Sequence, residues 1–295
     1  YTVKLMKTVS LNSDDIKFET NAVVAISDDE GNIETLTEVN PGIYKTSPDG
    51  LQGKPGNTYV LTIHTGEGDK YESEPVKLRE GPDIDSVSTS VGQRVSYESL
   101  EDTLKGININ VTSNEWNSED DYFLRWDYDE TWEVEPNYYP IDTVHEKNTT
   151  PCWNVTYCTD VIIENTAAFN INKIEEKPVI FLDQFSPKPY RGYSVLIKQY
   201  TMNESVYEFF RMIKENNEDN GDIFDNVPYN AVSNIECCND PDKKVFGYFD
   251  AADVDEVRKY YKQPIEGIWF HDAINEDCKP TYLPLEQFEN LDISD

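Results

Sequence analysis

Basic residues are the first shortage. The chain has 25 Lys+Arg against 57 Asp+Glu in 295 residues, a formal charge of −32. Such a surface repels the phosphates of nucleic acids and anionic lipid head groups, and no basic stripe interrupts it. Histidine is scarcer still: His64, His145 and His271 are the only three. With no CxxC spacing beside them, they do not make a zinc site. None lies in a recognisable nucleophile–base motif, which argues against Ser/His/Asp chemistry. No apolar run approaches the roughly 18 residues that mark a membrane-spanning helix, and no signal-peptide pattern opens the chain. Carboxylates are so numerous that some pair must fall at glycosidase spacing, so a pair without a cleft and shifted pKa values counts for nothing. One stretch, 216–227, places Gly221 and Ile223 where a calcium-binding EF-hand loop wants them, but it starts on Asn216 and ends on Val227. Without a final glutamate it fails as that loop. No cofactor, metal or catalytic residue is expected, and the chain is read as a non-enzyme.

Cysteines are few and odd in number: Cys152, Cys158, Cys237, Cys238 and Cys278. At least one is left unpaired within the chain. Disulfides are the expected state in an exported protein. The pairs predicted are Cys152–Cys158, which flank a short Trp-containing segment, and Cys278 with Cys237 or Cys238.

What the sequence has in abundance is strand pattern. The centre of the chain is Tyr190–Asp225, a strand that feeds into a helix. Tyr193, Val195 and Ile197 share one face of 193–200 and Ser194, Leu196 and Lys198 the other, the period of a β-strand. Thr201 and Glu204 then stand at capping-box spacing. Behind them Met202, Val206, Phe209, Phe210 and Ile213 form one apolar stripe of a helix near 202–217. It is expected to be the only long helix, covering a sheet face or edge; docking into a partner's groove is the other reading of the stripe. Residues 1–82 read as an immunoglobulin-like β-sandwich, with strands near 1–9, 21–27, 32–39, 43–46, 58–65 and 72–78 separated by turns such as Asn40-Pro41-Gly42 and Lys54-Pro55-Gly56-Asn57. A boundary falls near Pro82. Residues 83–295 read as a second β-rich domain with strands at 107–111, 121–132, 160–164, 178–182, 193–200, 244–250 and 257–261, then a tail from Gln263 that wraps over the surface. The fold class is therefore mainly β: two tandem β-sandwich domains, the second with one long amphipathic helix. Tyr1 already lies inside a strand-like pattern, YTVKLMKTV, so a preceding segment is expected.

Several segments in order carry a resemblance: Pro41-Gly42-Ile43-Tyr44, 56–63, Tyr71-Glu72-Ser73 with Ile84-Asp85-Ser86, Phe123-Leu124-Arg125-Trp126, Cys152-Trp153, 193–200, 221–225 and Gly247-Tyr248-Phe249. Together they make the chain resemble a family of Bacteroidota outer-membrane lipoproteins of unknown function (domain of unknown function 4249). The resemblance implies an N-terminal lipid anchor, absent from this chain, and a place on the outer membrane facing the cell exterior. It also implies a neighbouring TonB-dependent receptor and no known catalytic residues. Proteins of this phylum are modified at Ser or Thr in Asp-Ser/Thr-apolar triplets, and Ser86, Thr103 and Thr143 fit that pattern. The functional expectation is a non-catalytic accessory subunit that binds an outer-membrane β-barrel. The alternative is a free-standing glycan- or peptide-binding module using Trp116, Trp132, Tyr138 and Tyr139 as contacts; exposed rings would favour it and buried rings would favour packing.

Overall fold

The computed structural model describes residues 1–7, 17–95, 103–116, 121–134, 152–169, 171–218 and 233–271. Within them the chain builds two β-sandwiches and one helix. In the first sandwich a three-stranded sheet, in the order Thr2–Lys4, Ile43–Lys45, Thr37–Asn40, faces a larger one. The larger sheet runs Ile235–Cys237, Lys70–Ser73, Thr58–His64, Val23–Asp28, Ile33–Thr35, with Val76–Lys77 also on Thr58–His64. Alternation sets the core: Val24 and Ile26, and Tyr59, Leu61 and Ile63, all point inward and are buried with Tyr44 and Leu78. The turn before Ile43–Lys45 depends on Gly42, whose φ of 69° suits glycine and whose missing Cβ would press on Phe18.

The second sandwich packs Ile84–Val95, Thr103–Ser113 and Lys177–Asp183 against a sheet in the order Cys152–Tyr157, Phe123–Val134, Tyr193–Met202, Asp253–Tyr261. Ile162–Asn165 extends that sheet beside Phe123–Val134. All of its strands are antiparallel. Ile107, Ile109, Val111, Ile180 and Leu182 from one sheet meet Leu124, Trp126, Val195 and Ile197 from the other. Each such side chain taken out of water contributes about 1.5–3 kcal/mol, which makes this core the main stabiliser of the molecule.

The helix spans Glu204–Glu218, close to the expected 202–217. Its cap is not the expected one. Thr201 stays in the strand, paired with Leu124 on one side and Asp253 on the other. The first helical bond runs from Tyr207 N–H to the Asn203 carbonyl at 3.0 Å, so two ladders outcompete a capping box. Val206 and Phe209 are buried and Phe210 is partly so, and the stripe covers the Phe123, Ile163, Met202 end of the sheet's outer face. The helix thus acts as a cover on its own sheet.

Other expectations change as well. Ile84–Val95, Cys152–Tyr157 and Ile235–Cys237 are strands that the pattern reading passed over. The segment 244–250, expected as a buried strand, belongs to no sheet among the described residues. The start of the tail does not lie on the surface: Ile265 and Phe270 are buried in the second core. Ile235–Cys237 pairs with Lys70–Ser73, so the chain crosses back to complete the first sandwich.

The seam between the sandwiches is hydrogen-bonded. Gln199, only 1 % exposed, accepts from Trp126 Nε1 at 2.9 Å and donates to the Pro82 carbonyl at 2.6 Å. Gly81 N–H donates to Asp253 and Ile84 N–H to Asp255, at 3.2 and 2.7 Å. Gly81 has no room for a side chain, because a Cβ would run into Thr201.

Candidate functional site

Beyond the end that the helix covers, the outer face of the second sandwich's longer sheet is left open by the described residues. One row across it reads Val155, Thr131, Ser194, Tyr260; the next reads Tyr157, Asp129, Leu196, Arg258; and Trp153 stands beside Glu133. Among the described residues Cys152–Tyr157 is an edge strand, and its exposed positions are all apolar: Trp153 is 55 % exposed, Val155 50 % and Tyr157 69 %. Period-2 geometry places them on one face. Tyr260, 76 % exposed, borders the opposite edge. Three strand spacings separate the two rims, about 14 Å. The floor between them is polar and internally paired. Lys198 Nζ meets Asp129 Oδ2 at 2.7 Å, and Arg258 Nη1 donates to Ser194 Oγ at 2.9 Å. Lys198 is pushed up from its ordinary pKa by its hydrogen bond to Asp129. A face of this kind can hold a ligand or a protein by apolar contact and aromatic stacking, with hydrogen bonds between the rims.

Further along the same face the sheet becomes the wall of a cleft. Arg125, Tyr200 and Val254 line it together with Tyr1–Lys7, residues 243–252 and the inner face of the first sandwich, in a volume of about 1380 Å³. The Arg125 guanidinium lies 4.1 Å from the Tyr200 ring centre and 5.1 Å from that of Phe210. Its Nη1 is 3.6 Å from Asp127. Arg125 Nε and Asp250 Oδ1 are both buried without a hydrogen-bond partner. Burial pushes the Asp250 carboxyl up to about 6, with Arg125 pulling the other way.

A third polar cluster is complete in itself. Glu130, 3 % exposed, accepts from Tyr193 OH at 2.6 Å, Lys188 Nζ at 2.6 Å and Thr156 Oγ1 at 3.0 Å. Burial raises the Tyr193 phenol, with Glu130 adding to the shift. A buried carboxylate with three donors has its charge satisfied, which is the signature of a core network. Among the described residues no group of three or more His, Cys, Asp or Glu is arranged to hold a metal ion.

The residues singled out by sequence are scattered. Trp132 is buried in the second core, with the Lys188 ammonium 5.0 Å from its ring centre; it is a core residue and no contact. Trp116 is half-buried against Tyr122, rings 5.6 Å apart edge to face. Tyr138, Tyr139 and Thr143 lie outside the described residues. Ser86 and Thr103 are exposed on Ile84–Val95 and Thr103–Ser113. The cysteine pairs need correction: Cys158, Cys237 and Cys238 are free thiols. Cys152 opens a strand and Cys158 follows its end; six extended residues separate them by about 20 Å, far beyond the reach of a bridge. Cys152 is not among the free thiols, and Cys278 lies outside the described residues. The Cys158 thiol is pushed up by burial.

Trp153, Tyr157 and Tyr260, the exposed rings, were missed. The signal was there: Trp153, Val155 and Tyr157 alternate with Cys152, Asn154 and Thr156. Read as a strand, that puts every large apolar group on one side.

The profile of a family described as a domain of unknown function (DUF4249) matches residues 1–258. The chain belongs to that family. No curated protein and no solved structure matches it. No helix among the described residues of this DUF4249 chain is long and apolar enough to cross a membrane.

Proposed function

We propose that the protein acts by contact, as a non-catalytic accessory subunit of an outer-membrane complex in a Bacteroidota cell. In this reading a lipid anchor holds it at the cell exterior, and a TonB-dependent transporter or similar β-barrel is its partner. The observation that carries the reading is the apolar edge strand Cys152–Tyr157, with Trp153, Val155 and Tyr157 exposed on one face. Soluble proteins blunt their edge strands with charge or proline. An edge that instead shows tryptophan, valine and tyrosine suits a partner that covers it. Aromatic anchors of this type supply most of the energy of protein interfaces. The negative charge of the whole chain favours basic loops on that partner.

The test is a pull-down from detergent-solubilised outer membrane with the native chain and with the double variant Val155→Glu, Tyr157→Glu. A β-barrel protein should co-purify with the native chain and be lost with the variant. Retention by both would remove the edge strand from the reading, and no co-purifying membrane protein with either would end the accessory role. A second reading, a free-standing glycan-binding module, is favoured by the Trp153, Tyr157 and Tyr260 rings that border a polar floor. It predicts retardation in polysaccharide-containing gels that Trp153→Ala abolishes.

A further inference from the structure

The cleft has two walls of polypeptide backbone, and among the described residues each is short of a neighbour. One wall is Thr2–Lys4, which among the described residues is an edge strand paired only with Ile43–Lys45. Thr46 N–H donates to the Tyr1 carbonyl and Leu5 N–H to the Gly42 carbonyl, so the odd residues turn their backbone groups toward that partner. Antiparallel alternation then turns the N–H and C=O of Thr2 and Lys4 away from it, to the free edge. The other wall is 245–251. Its side chains alternate as in a strand: Val245, Phe249 and Ala251 pack on the first core, while Phe246 is 68 % exposed. Yet it joins no sheet of the described residues, and the Asn234 side chain stands in for a neighbouring strand, donating to the Phe249 carbonyl and accepting from its N–H, both at 2.8 Å. Between the walls the floor is apolar, with Ile26, Leu61 and Ile63.

We infer that this cleft is a strand-acceptor slot, which takes an extended segment of a partner polypeptide. The free edge of Tyr1–Leu5 accommodates about five residues at roughly 3.3 Å each. An extended backbone supplies donors and acceptors on both sides, as the two walls require, and its alternate side chains reach the apolar floor. At one end lie a buried donor and a buried acceptor without hydrogen-bond partners, Arg125 Nε and Asp250 Oδ1. The rim selects charge. Lys4 and Lys244 line the cleft and form no ion pair with any described residue, whereas Lys7 and Lys243 are already paired with Glu19 and Asp69. In a chain with 57 carboxylates, two unpaired lysines on one cleft point to glutamate or aspartate on the outward positions of the guest. The occupant is therefore a segment that alternates apolar with acidic residues. This site is separate from the open sheet face, and its failure would leave that reading intact.

The test uses fluorescein-labelled seven-residue peptides, one alternating valine with glutamate and one alternating valine with lysine, followed by anisotropy. The glutamate peptide should bind the native chain saturably below about 1 mM and the lysine peptide should not. Lys4→Pro removes an N–H that faces the slot while leaving the ladder to Ile43–Lys45 in place, and should weaken binding at least about tenfold. If that variant melts early, Lys4→Glu with Lys244→Glu serves instead and should reverse the preference between the two peptides. Absence of saturable binding by the glutamate peptide, or binding indifferent to both variants, would overturn the proposal. So would a native dimer in sedimentation that becomes monomeric in Lys4→Pro, because the guest would then be a second copy.

Discussion

Asp250 is a carboxyl group whose protonation the fold controls. Its ordinary carboxyl value of 3.8 rises to about 6 because burial disfavours the charged form. The folded chain therefore holds this proton to a higher pH than the unfolded chain does. Between about pH 4 and 6 the native state binds more protons, so the Asp250 contribution to stability is largest in acid and is lost as pH rises through 6. Other carboxylates act in the opposite sense: Glu38 is held low by the N–H groups of Gly42 and Asn21, and Glu67 by Lys7. Their contributions are present above the ordinary carboxylate range and disappear in acid. The slopes oppose each other, so only a comparison isolates Asp250. Asp250→Asn keeps the shape and removes the titration. Relative to the native chain it should gain stability from pH 4.5 to pH 7, by an amount of order 2–3 kcal/mol at most. Urea denaturation at the two pH values checks this. An equal difference at both would mean that Asp250 is ionised throughout.

At the scale of elements, the helix Glu204–Glu218 is held by its apolar stripe. Phe209 is 9 % exposed and lies 5.0 Å from the Tyr248 ring and 5.6 Å from that of Phe210. Phe209→Ala should cost about 2–4 kcal/mol, read as a lower urea midpoint at unchanged slope; a loss below about 0.5 kcal/mol would mean that the helix does not pack as described. Strand and helix at 193–218 were legible because period 2 changes to period 3.6 within a few residues, and both patterns are long. The cap was not, since Thr201 and Asn203 are equally good local candidates and only the flanking strands choose between them. Ile84–Val95 was missed because Ser86, Ser88, Thr89 and Ser90 blunt its alternation; its partner Thr103–Ser113 supplies the strand character. The open sheet face lay hidden for a related reason. Its rims come from 152–157 and 260, brought together by two intervening strands, and no spacing in sequence reports that. Trp132 was misread because an aromatic position alone does not say which face it takes. Its partner Tyr193, itself buried, turns it inward.

For the whole molecule, charge sets the last expectation. A formal −32 leaves far more like-charged pairs than opposite ones, and self-repulsion of that kind destabilises the compact state. Local pairing offsets part of it: Lys54 with Glu30 at 3.0 Å and Arg211 with Glu215 at 2.6 Å are examples. Exposed pairs of this type contribute little, and screening weakens them as it weakens repulsion. Excess decides which effect dominates. With only 25 cations for 57 carboxylates, acidic groups are in large excess, so added sodium chloride relieves more repulsion than it removes attraction. Raising the salt from about 10 mM to about 100 mM shortens the screening length from about 30 to 10 Å. The urea midpoint should rise over that range. Docking onto a basic surface should respond in the reverse direction, with association slowing as the salt rises. Opposite signs for folding and docking separate a charge effect from a general salt effect, which would strengthen burial in both. A midpoint that falls instead would mean that the ion pairs, few as they are, outweigh the repulsion among the remaining carboxylates.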